Sequence, residues 1–192
     1  MPEPEPQERR IHHLDARSLR GLAHPLRMQL LNALRRHGPA TASMLAERLG
    51  ESSGATSYHL RQLATHGFVE DTPERGKGRE RWWQAAQDGV GFDENLFLDT
   101  DPAVRGAADT FLHEVATTHA RELSTAIGTR EDWLPKWSHS TDMSDWTVRL
   151  TPEHTRELVG KIHELLENYA DDDAPEAERV RFHLHAFPIE SE

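Results

Sequence analysis

The sequence predicts a mainly α (α+β) protein: short helices, a β-hairpin, a long helix, and a small strand–helix–strand module. Two observations support this fold class. Apolar residues recur at helical spacing over much of the chain, for example at residues 25–37. The spacing changes to alternation near residues 68–84, 146–150 and 180–186, as in half-buried strands. The chain has no cysteine, which excludes disulfides and thiolate metal sites.

Composition and pattern divide the chain into four regions. Residues 1–10 are rich in proline and glutamate and are predicted to be a disordered arm. Residues 11–88 hold the short helices and the hairpin, residues 89–128 an acidic connector and the long helix, and residues 129–192 a small α/β C-terminal module. The N-terminus does not resemble a signal peptide, and no apolar run approaches the ~18 residues of a membrane helix. We therefore expect a cytoplasmic protein with no membrane partner.

The first region contains four predicted helices. The first covers residues 14–22, and Pro25 suits the first turn of the second, which runs to His37. A third helix begins near Thr41 or Ser43 and ends at Gly50, and the fourth begins only three residues later. Two helices joined by a tight glycine-containing turn form a helix-turn-helix unit.

The fourth helix, which ends at Gly67, has two unlike faces. Thr56, Leu60, Leu63 and Ala64 form the face predicted to be buried. The opposite face is small, polar or basic, which suits a helix in the major groove of DNA, where side chains contact base edges and phosphates. The residues predicted to bind DNA are Ser52, Ser53, Ala55, Ser57, Tyr58, His59, Arg61 and Gln62.

A basic β-hairpin follows this helix. Residues 68–71 and 79–84 are predicted strands around a tip that reads P-E-R-G-K-G at residues 73–78. Such a β-wing can lie along the DNA backbone, whereas a plain surface hairpin is the alternative. The residues predicted to contact the backbone are Arg75, Lys77, Arg79 and Arg81.

The charge is unevenly distributed. The formal net charge is −11, but residues 9–81 hold 13 Lys and Arg against 7 Asp and Glu, whereas residues 91–192 hold 9 against 22. This asymmetry is expected if only the first half meets phosphates. Two ordinary solvated surfaces would also produce it.

Several motifs of the first half occur in a familiar order. They read L-A-H-P-L-R-M-Q-L-L-N-A-L at residues 22–34, L-A-E-R-L at 45–49, T-S-Y-H-L-R-Q-L at 56–63 and G-K-G-R-E-R-W-W at 76–83. Over residues 14–86 the chain thereby resembles the ArsR-type winged helix-turn-helix transcription regulators. The resemblance implies a dimeric cytoplasmic regulator that binds a palindromic operator in double-stranded DNA, usually as a repressor released by an effector. The metal sensors of that family carry cysteines that this chain lacks, so thiolate sensing is excluded.

The long helix is predicted to begin at Pro102 and end near Ile127, with one apolar stripe. We predict that this stripe forms a homodimer, because two recognition helices can read two half-sites about one turn (~10 bp) or multiples apart. Packing of the helix against its own domain is the alternative. The predicted dimer contacts are Val104, Ala108, Phe111, Leu112, Val115 and His119.

The C-terminal module is predicted to contain a strand at residues 146–150, a helix after Thr151 and a strand at residues 180–186. Its aromatic residues are candidates for a pocket that binds an unknown small-molecule effector, or for the module's own core. These residues are Trp133, Trp137, Trp146 and Phe182.

Thirteen histidines raise the question of a metal site. His183 and His185 point the same way from the last predicted strand and are the best pair, but a site would need a third ligand, for which Asp142, Asp145 or the second copy of the chain are the candidates. We predict no metal site and no cofactor. We also predict no enzyme, because the sequence lacks a G-x-S-x-G motif, a glycine-rich phosphate loop and a cysteine nucleophile.

Two alternative functions stay open. One is a nickel- or zinc-responsive regulator that uses histidine and carboxylate ligands. The other is a protein-interaction module that kept the fold without DNA binding, which the net charge of −11 supports.

Overall fold

The computed structural model of the chain describes residues 10–72, 81–169 and 174–189. These residues form two compact units, an N-terminal unit that ends at Glu122 and a C-terminal unit that begins at Leu123. The predicted disordered arm lies almost wholly outside the described residues. Among the described helices, none is long and apolar enough to cross a membrane.

Four helices build the first part of the N-terminal unit, and each begins at a side-chain cap. The Asp15 carboxylate accepts a hydrogen bond from the Ser18 amide at 2.7 Å, and the Thr41 and Ser52 hydroxyls accept equivalent bonds one turn ahead. At the second helix, His24 Nδ1 accepts a bond from the Leu26 amide. The four helices are α1 (Ala16–Leu22), α2 (Pro25–His37), α3 (Ala42–Leu49) and α4 (Ser53–Thr65).

Five short strands complete this unit. They are β1 (Ile11–His13), β2 (Ala40–Thr41), β3 (Val69–Asp71), β4 (Trp82–Ala85) and β5 (Gly89–Gly91). The hairpin prediction is confirmed: β3 and β4 pair antiparallel, with Val69 opposite Ala85, and β2 adds to the other edge of β4. Separately, β1 pairs in parallel with β5, with Ile11 opposite Gly89. β1, β2 and β5 were not predicted, because two or three residues outside a longer alternating stretch have no measurable periodicity.

The core of the N-terminal unit lies between the helices and the three-stranded sheet. The predicted buried face of α4 is confirmed at Thr56, Leu60 and Leu63, each of which is fully buried. Burial of this stripe fixes the rotation of α4 about its own axis and therefore decides which residues face solvent. The other fully buried large residues are Leu19, Leu22, Leu30, Leu31, Leu45, Phe68 and Val104.

After β5, a 3₁₀ turn (Glu94–Leu98) leads into the long helix α5 (Pro102–Gly128). Val104, Ala108 and Phe111 are buried in the core of their own unit, and Phe92 stacks on Phe111 with ring centroids 5.4 Å apart. These three side chains are therefore covered by their own unit in the single chain, and their predicted dimer contacts stay a prediction. An apolar stripe shows that one face of a helix is covered but does not show which surface covers it.

The remaining predicted dimer contacts differ in exposure. Leu112 is exposed and His119 is half-buried, whereas Val115 packs against the same core as Phe111. An ion pair between Arg36 and Glu122 further connects α5 to α2. The alternative, in which the first part of α5 packs on its own domain, therefore describes the structure.

The C-terminal unit is built differently. It contains α6 (Arg130–Trp137) and α7 (Pro152–Glu167), and α7 begins where predicted, with the Thr151 hydroxyl accepting a bond from the His154 amide. None of its described residues is buried. Residues 146–150 and 180–186 form no strand, so the predicted strand–helix–strand arrangement is not formed within the chain. Alternation indicates a strand only where a neighbouring strand supplies the hydrogen bonds, and no strand among the described residues lies beside these segments.

Candidate nucleic-acid interface

The turn between α3 and α4 presents α4 to solvent. Gly50 ends α3 with a φ of 69°, a left-handed conformation that glycine adopts without steric cost. The Glu51 amide donates to the Ala46 carbonyl at 2.9 Å, which closes the turn. α4 begins at Ser53, only three residues after Gly50. This is the tight connection that the sequence predicts for a helix-turn-helix unit.

Four of the eight residues at α4 that are predicted to bind DNA are exposed, namely Ser52, Ser53, Tyr58 and Arg61. Tyr58 is 54% exposed, and Ser53 and Arg61 are also exposed. Arg61 Nε donates to the Ser57 carbonyl on the same helix at 3.1 Å. That bond lies at the surface, so the guanidinium can exchange it for a base or a phosphate at small cost. The half-buried members of the predicted set are Ala55, Ser57, His59 and Gln62.

Ser52 has a structural task. Its hydroxyl accepts a hydrogen bond from the Ala55 amide at 3.2 Å and thereby caps α4. The first backbone amides of a helix have no partner within the helix, and the N-terminus of α4 therefore favours a nearby phosphate. Ser52 therefore forms the helix end at which a phosphate could bind.

His59 faces the protein interior more than the predicted DNA surface. Its ring lies 4.4 Å from the His24 ring, centroid to centroid, and 5.1 Å from the Tyr58 ring, edge on. His59 Nδ1 is buried and has no hydrogen-bond partner among the described residues. His59 therefore packs α4 against the start of α2 in the single chain, and its DNA contact stays a prediction. The sequence reasoning missed His24, although a histidine directly before Pro25 at a helix start was its signal.

Burial and nearby cations act on three histidines around α4. Burial lowers the pKa of His24, His59 and His66 below the ordinary value of 6.5. Arg27 lowers all three pKa values further, His24 adds to the effect on His59, and Arg17 adds to the effect on His66. A positive charge on any of these three imidazoles is unfavourable, because the protonated ring would be partly desolvated and close to a guanidinium.

We expect the stability of the protein to fall as the pH drops below about 7. The unfolded chain takes up protons near the ordinary pKa of 6.5, whereas the folded chain takes them up at lower pH. The unfolded state therefore binds more protons in this window, and the free energy of unfolding decreases as the pH falls through 6.5. Urea unfolding between pH 7.5 and 5.5 measures this slope.

His59→Gln tests the contribution of this cluster. The variant should lose less stability between pH 7.5 and 5.5 than the wild type, because one shifted group is removed. His113→Gln, on the exposed face of α5, is the matched control and should keep the wild-type slope. An identical slope for His59→Gln and the wild type would contradict the prediction.

The hairpin brings one basic residue to a defined place. The Arg81 side chain is 58% exposed; its Nε lies 2.9 Å from an Asp71 carboxylate oxygen, and its guanidinium lies 5.2 Å from the Trp83 ring centroid. Arg81 is thus held at the base of the hairpin on the surface. The other three predicted wing contacts lie outside the described residues, namely Arg75, Lys77 and Arg79.

The predicted effector pocket is absent from the single chain as described. Trp146 and Phe182 are 79% and 69% exposed, so they line no enclosed space. Trp133 Nε1 donates to the Ala126 carbonyl at 3.0 Å, and Trp137 lies 6.0 Å from Lys136 Nζ. Large aromatic residues predicted a pocket only on the assumption that the module folds around them.

The candidate metal ligands His183 and His185 lie near each other without further ligands arranged around them among the described residues. The His183 and His185 rings lie 6.4 Å apart with their planes nearly perpendicular. Across residues 10–72, 81–169 and 174–189, no group of three or more histidine, aspartate or glutamate residues is arranged to hold a metal ion.

Comparisons with known proteins bear on the N-terminal unit. Residues 22–72 match a family model described as a helix-turn-helix domain, which extends from the end of α1 to the residue after β3. No curated protein matches the chain.

Three solved structures are similar to the chain. The homodimeric winged helix-turn-helix DNA-binding domain of Mb0332 from Mycobacterium bovis, described as a possible ArsR-family transcriptional regulator, is 23% identical, with 56% of this chain and 82% of that chain covered and a TM-score of 0.35. RV1404 from Mycobacterium tuberculosis is 16% identical over 79% and 81%, with a TM-score of 0.31. The C30AH42A mutant of Lactococcus lactis ZitR is 19% identical over 74% and 78%, with a TM-score of 0.30.

These TM-scores are low, so the assignment rests on the family model and on the order of elements. In that order, α1 and α2 come first, α3 and α4 follow with a tight turn between them, and a β-hairpin comes directly after α4. The chain therefore contains a winged helix-turn-helix domain, with residues 22–72 as its helix-turn-helix part.

Proposed function

We propose that the protein is a sequence-specific DNA-binding transcriptional regulator that acts as a cytoplasmic homodimer. The observation that carries the proposal is the orientation of α4: Thr56, Leu60 and Leu63 are fully buried, which leaves Tyr58 and Arg61 on an exposed polar face. Such a face, held rigidly by a core and flanked by a hairpin, suits the major groove.

The proposed complex divides its contacts by type. The N-terminus of α4 and the hairpin contact phosphates and set the register of the protein on DNA. Arg61 and Tyr58 reach base edges from the middle of α4, where an arginine can pair with a guanine through two hydrogen bonds. Wing residues 75, 77 and 79 remain predicted phosphate contacts on the strength of the sequence.

A dimer follows from the need for specificity. One recognition helix covers too few base pairs to select a site, whereas two copies read a palindrome with half-sites about one turn (~10 bp) or multiples apart. The ArsR resemblance and the homodimeric state named for the Mb0332 domain support this assembly. We propose repression, with release by an effector that is not a thiolate-bound metal.

Arg81→Ala tests the phosphate-binding role of the hairpin. We expect weaker binding to every DNA sequence and a decrease of about one unit in the slope of log affinity against log salt, because one phosphate contact releases about one counterion. Fluorescence anisotropy with a random duplex over a salt series measures both quantities. The matched control is Arg156→Ala on the exposed surface of α7, which should leave the slope unchanged. An unchanged slope for Arg81→Ala would exclude this contact.

A further inference from the structure

Three histidines and one arginine line the side of α4 that packs against α1 and α2. The His24 and His59 rings lie 4.4 Å apart, centroid to centroid. His66, two turns after His59 on the same side of α4, packs on α1 at Gly21, where a Cβ atom would lie 2.3 Å from the His66 ring. Arg27 lies in the first turn of α2. These residues form the histidine–arginine cluster, namely His24, Arg27, His59 and His66.

The cluster contains hydrogen-bonding groups that the protein uses only in part. Arg27 Nη2 donates to the Arg20 carbonyl at 3.3 Å, whereas Arg27 Nε is buried and has no hydrogen-bond partner among the described residues. His59 Nδ1 is likewise buried and unpartnered within those residues. His24 Nδ1 accepts from the Leu26 amide, so a neutral His24 carries its proton on Nε2, as a donor. A guanidinium beside imidazole donors suits a phosphate oxygen.

The charges around the three histidines are unbalanced toward the positive. The charged groups that act on them from the neighbouring elements are two arginines and two carboxylates, namely Arg17, Arg27, Glu51 and Asp15. Burial lowers the pKa values of the histidines, the arginines and the contact between His24 and His59 lower them further, and the carboxylates raise them by less. The Asp15 carboxylate already accepts bonds from the Ser18 amide and hydroxyl. An added anion would therefore favour a protonated histidine in this cluster.

The cluster borders the proposed DNA-binding face of α4. The exposed Tyr58 ring contacts the His59 ring edge-on, with the two centroids 5.1 Å apart. An α-helix in the ~12 Å wide major groove has a phosphate backbone along each side. The side of α4 that carries His59 and His66 would therefore run beside one of these two backbones.

We propose that the histidine–arginine cluster is a further phosphate-binding site, which holds the phosphodiester backbone of DNA beside α4 and takes up a proton as it binds. The inference deepens the proposed function and rests on it. Arg27 stays charged throughout the physiological pH range and supplies the permanent positive charge. His59 takes the proton, because its Nδ1 has no partner among the described residues, whereas protonation of His24 Nδ1 would break its bond to the Leu26 amide.

The sign of the pH dependence follows from the anchoring of α4. Thr56, Leu60 and Leu63 are fully buried and hold the helix in place, whereas the three histidines are only half-buried. A phosphate therefore acts on histidines in a fixed frame and raises their pKa values above those of the free protein. Between the two values the complex holds more protons than the free protein does, so the affinity for DNA rises as the pH falls.

The test measures the affinity of the full-length protein for a random duplex at pH 7.5 and pH 6.0 and constant salt. The wild type should bind roughly 3- to 10-fold more tightly at pH 6.0, because one linked proton changes the affinity by at most about tenfold per pH unit. His59→Gln should lose most of this gain. His113→Gln, on the exposed face of α5, is the matched control and should keep it. Circular dichroism at both pH values checks that each variant is folded.

Arg27→Gln tests the permanent charge of the site. This variant should bind the random duplex more weakly at both pH values, and its slope of log affinity against log salt should decrease by about one unit. An unchanged affinity and slope would exclude Arg27 as a phosphate ligand.

Calorimetry counts the protons independently of any variant. Titration of the wild type with the duplex at pH 6.5, in two buffers of different ionisation enthalpy, should show a net uptake of protons. No uptake, or the full wild-type pH dependence in His59→Gln, would overturn the proposed site while leaving DNA binding intact. Proton uptake on random DNA without preference for any genomic fragment would support the site while refuting the sequence-specific regulator. Absence of binding to any duplex would refute both.

Discussion

Replacing Leu60 with alanine is expected to lower the free energy of unfolding by about 2–5 kcal/mol. Leu60 is fully buried on α4, one turn from Thr56 and three residues from Leu63. Truncation removes its apolar contacts and leaves a cavity between α4 and the rest of the core. Urea unfolding followed by circular dichroism at pH 7.5 measures the loss.

Leu98→Ala is the matched control for this prediction. The same atoms are removed from a side chain that is 81% exposed, so the free energy of unfolding should change by no more than about 0.5 kcal/mol. Equal losses for the two variants would mean that α4 is not anchored through Leu60. The orientation of its solvent face would then lack its physical basis.

Replacing Arg61 with alanine is expected to cost about 1–3 kcal/mol of binding free energy on the operator, that is, roughly a 5- to 150-fold weaker complex. Arg61 lies on the exposed face of α4, and its Nε donates to the Ser57 carbonyl of the same helix. An arginine in this position can form two hydrogen bonds to a guanine, and alanine leaves that base edge unpaired. Fluorescence anisotropy with operator and random duplexes measures the difference.

Two further variants separate base reading from charge. Arg61→Lys keeps the charge but cannot form the bidentate pair, so it should recover binding to random DNA more fully than binding to the operator. Arg20→Ala removes an arginine that pairs with Asp101 at 2.9 Å, and it should leave specificity unchanged. If Arg61→Ala weakened operator and random DNA equally, Arg61 would bind a phosphate and the readout would come from other residues of α4.

The N-terminal unit could be predicted from the sequence because its signals are local. The buried stripe of α4 is fixed by residues one turn apart, namely Thr56, Leu60 and Leu63. The end of α3 is fixed by a single residue, Gly50. The alternation from Phe68 onward gave the hairpin for the same reason. Local periodicity also predicted that Tyr58 and Arg61 face solvent, and this outward face is the candidate interface.

The errors arose where the outcome depends on distant partners. The stripe on α5 could face its own core or a second copy, and only the fold shows that Phe111 packs on Phe92. His59 was predicted to contact DNA from its place on α4. The sequence did not show that His24, 35 positions earlier, packs against its ring. The alternation at residues 146–150 and 180–186 requires strand neighbours, and the part of the chain that the structure describes provides none.

The most direct test of the proposed function is the affinity of the full-length protein for DNA as a function of salt. Fragments selected by binding from the source genome are compared with a random duplex of equal length. The proposal predicts a palindromic fragment bound at least ~10³-fold more tightly than the random duplex, with affinity for both falling steeply as salt rises. Absence of binding to either duplex at low salt would contradict it and would favour the protein-interaction module.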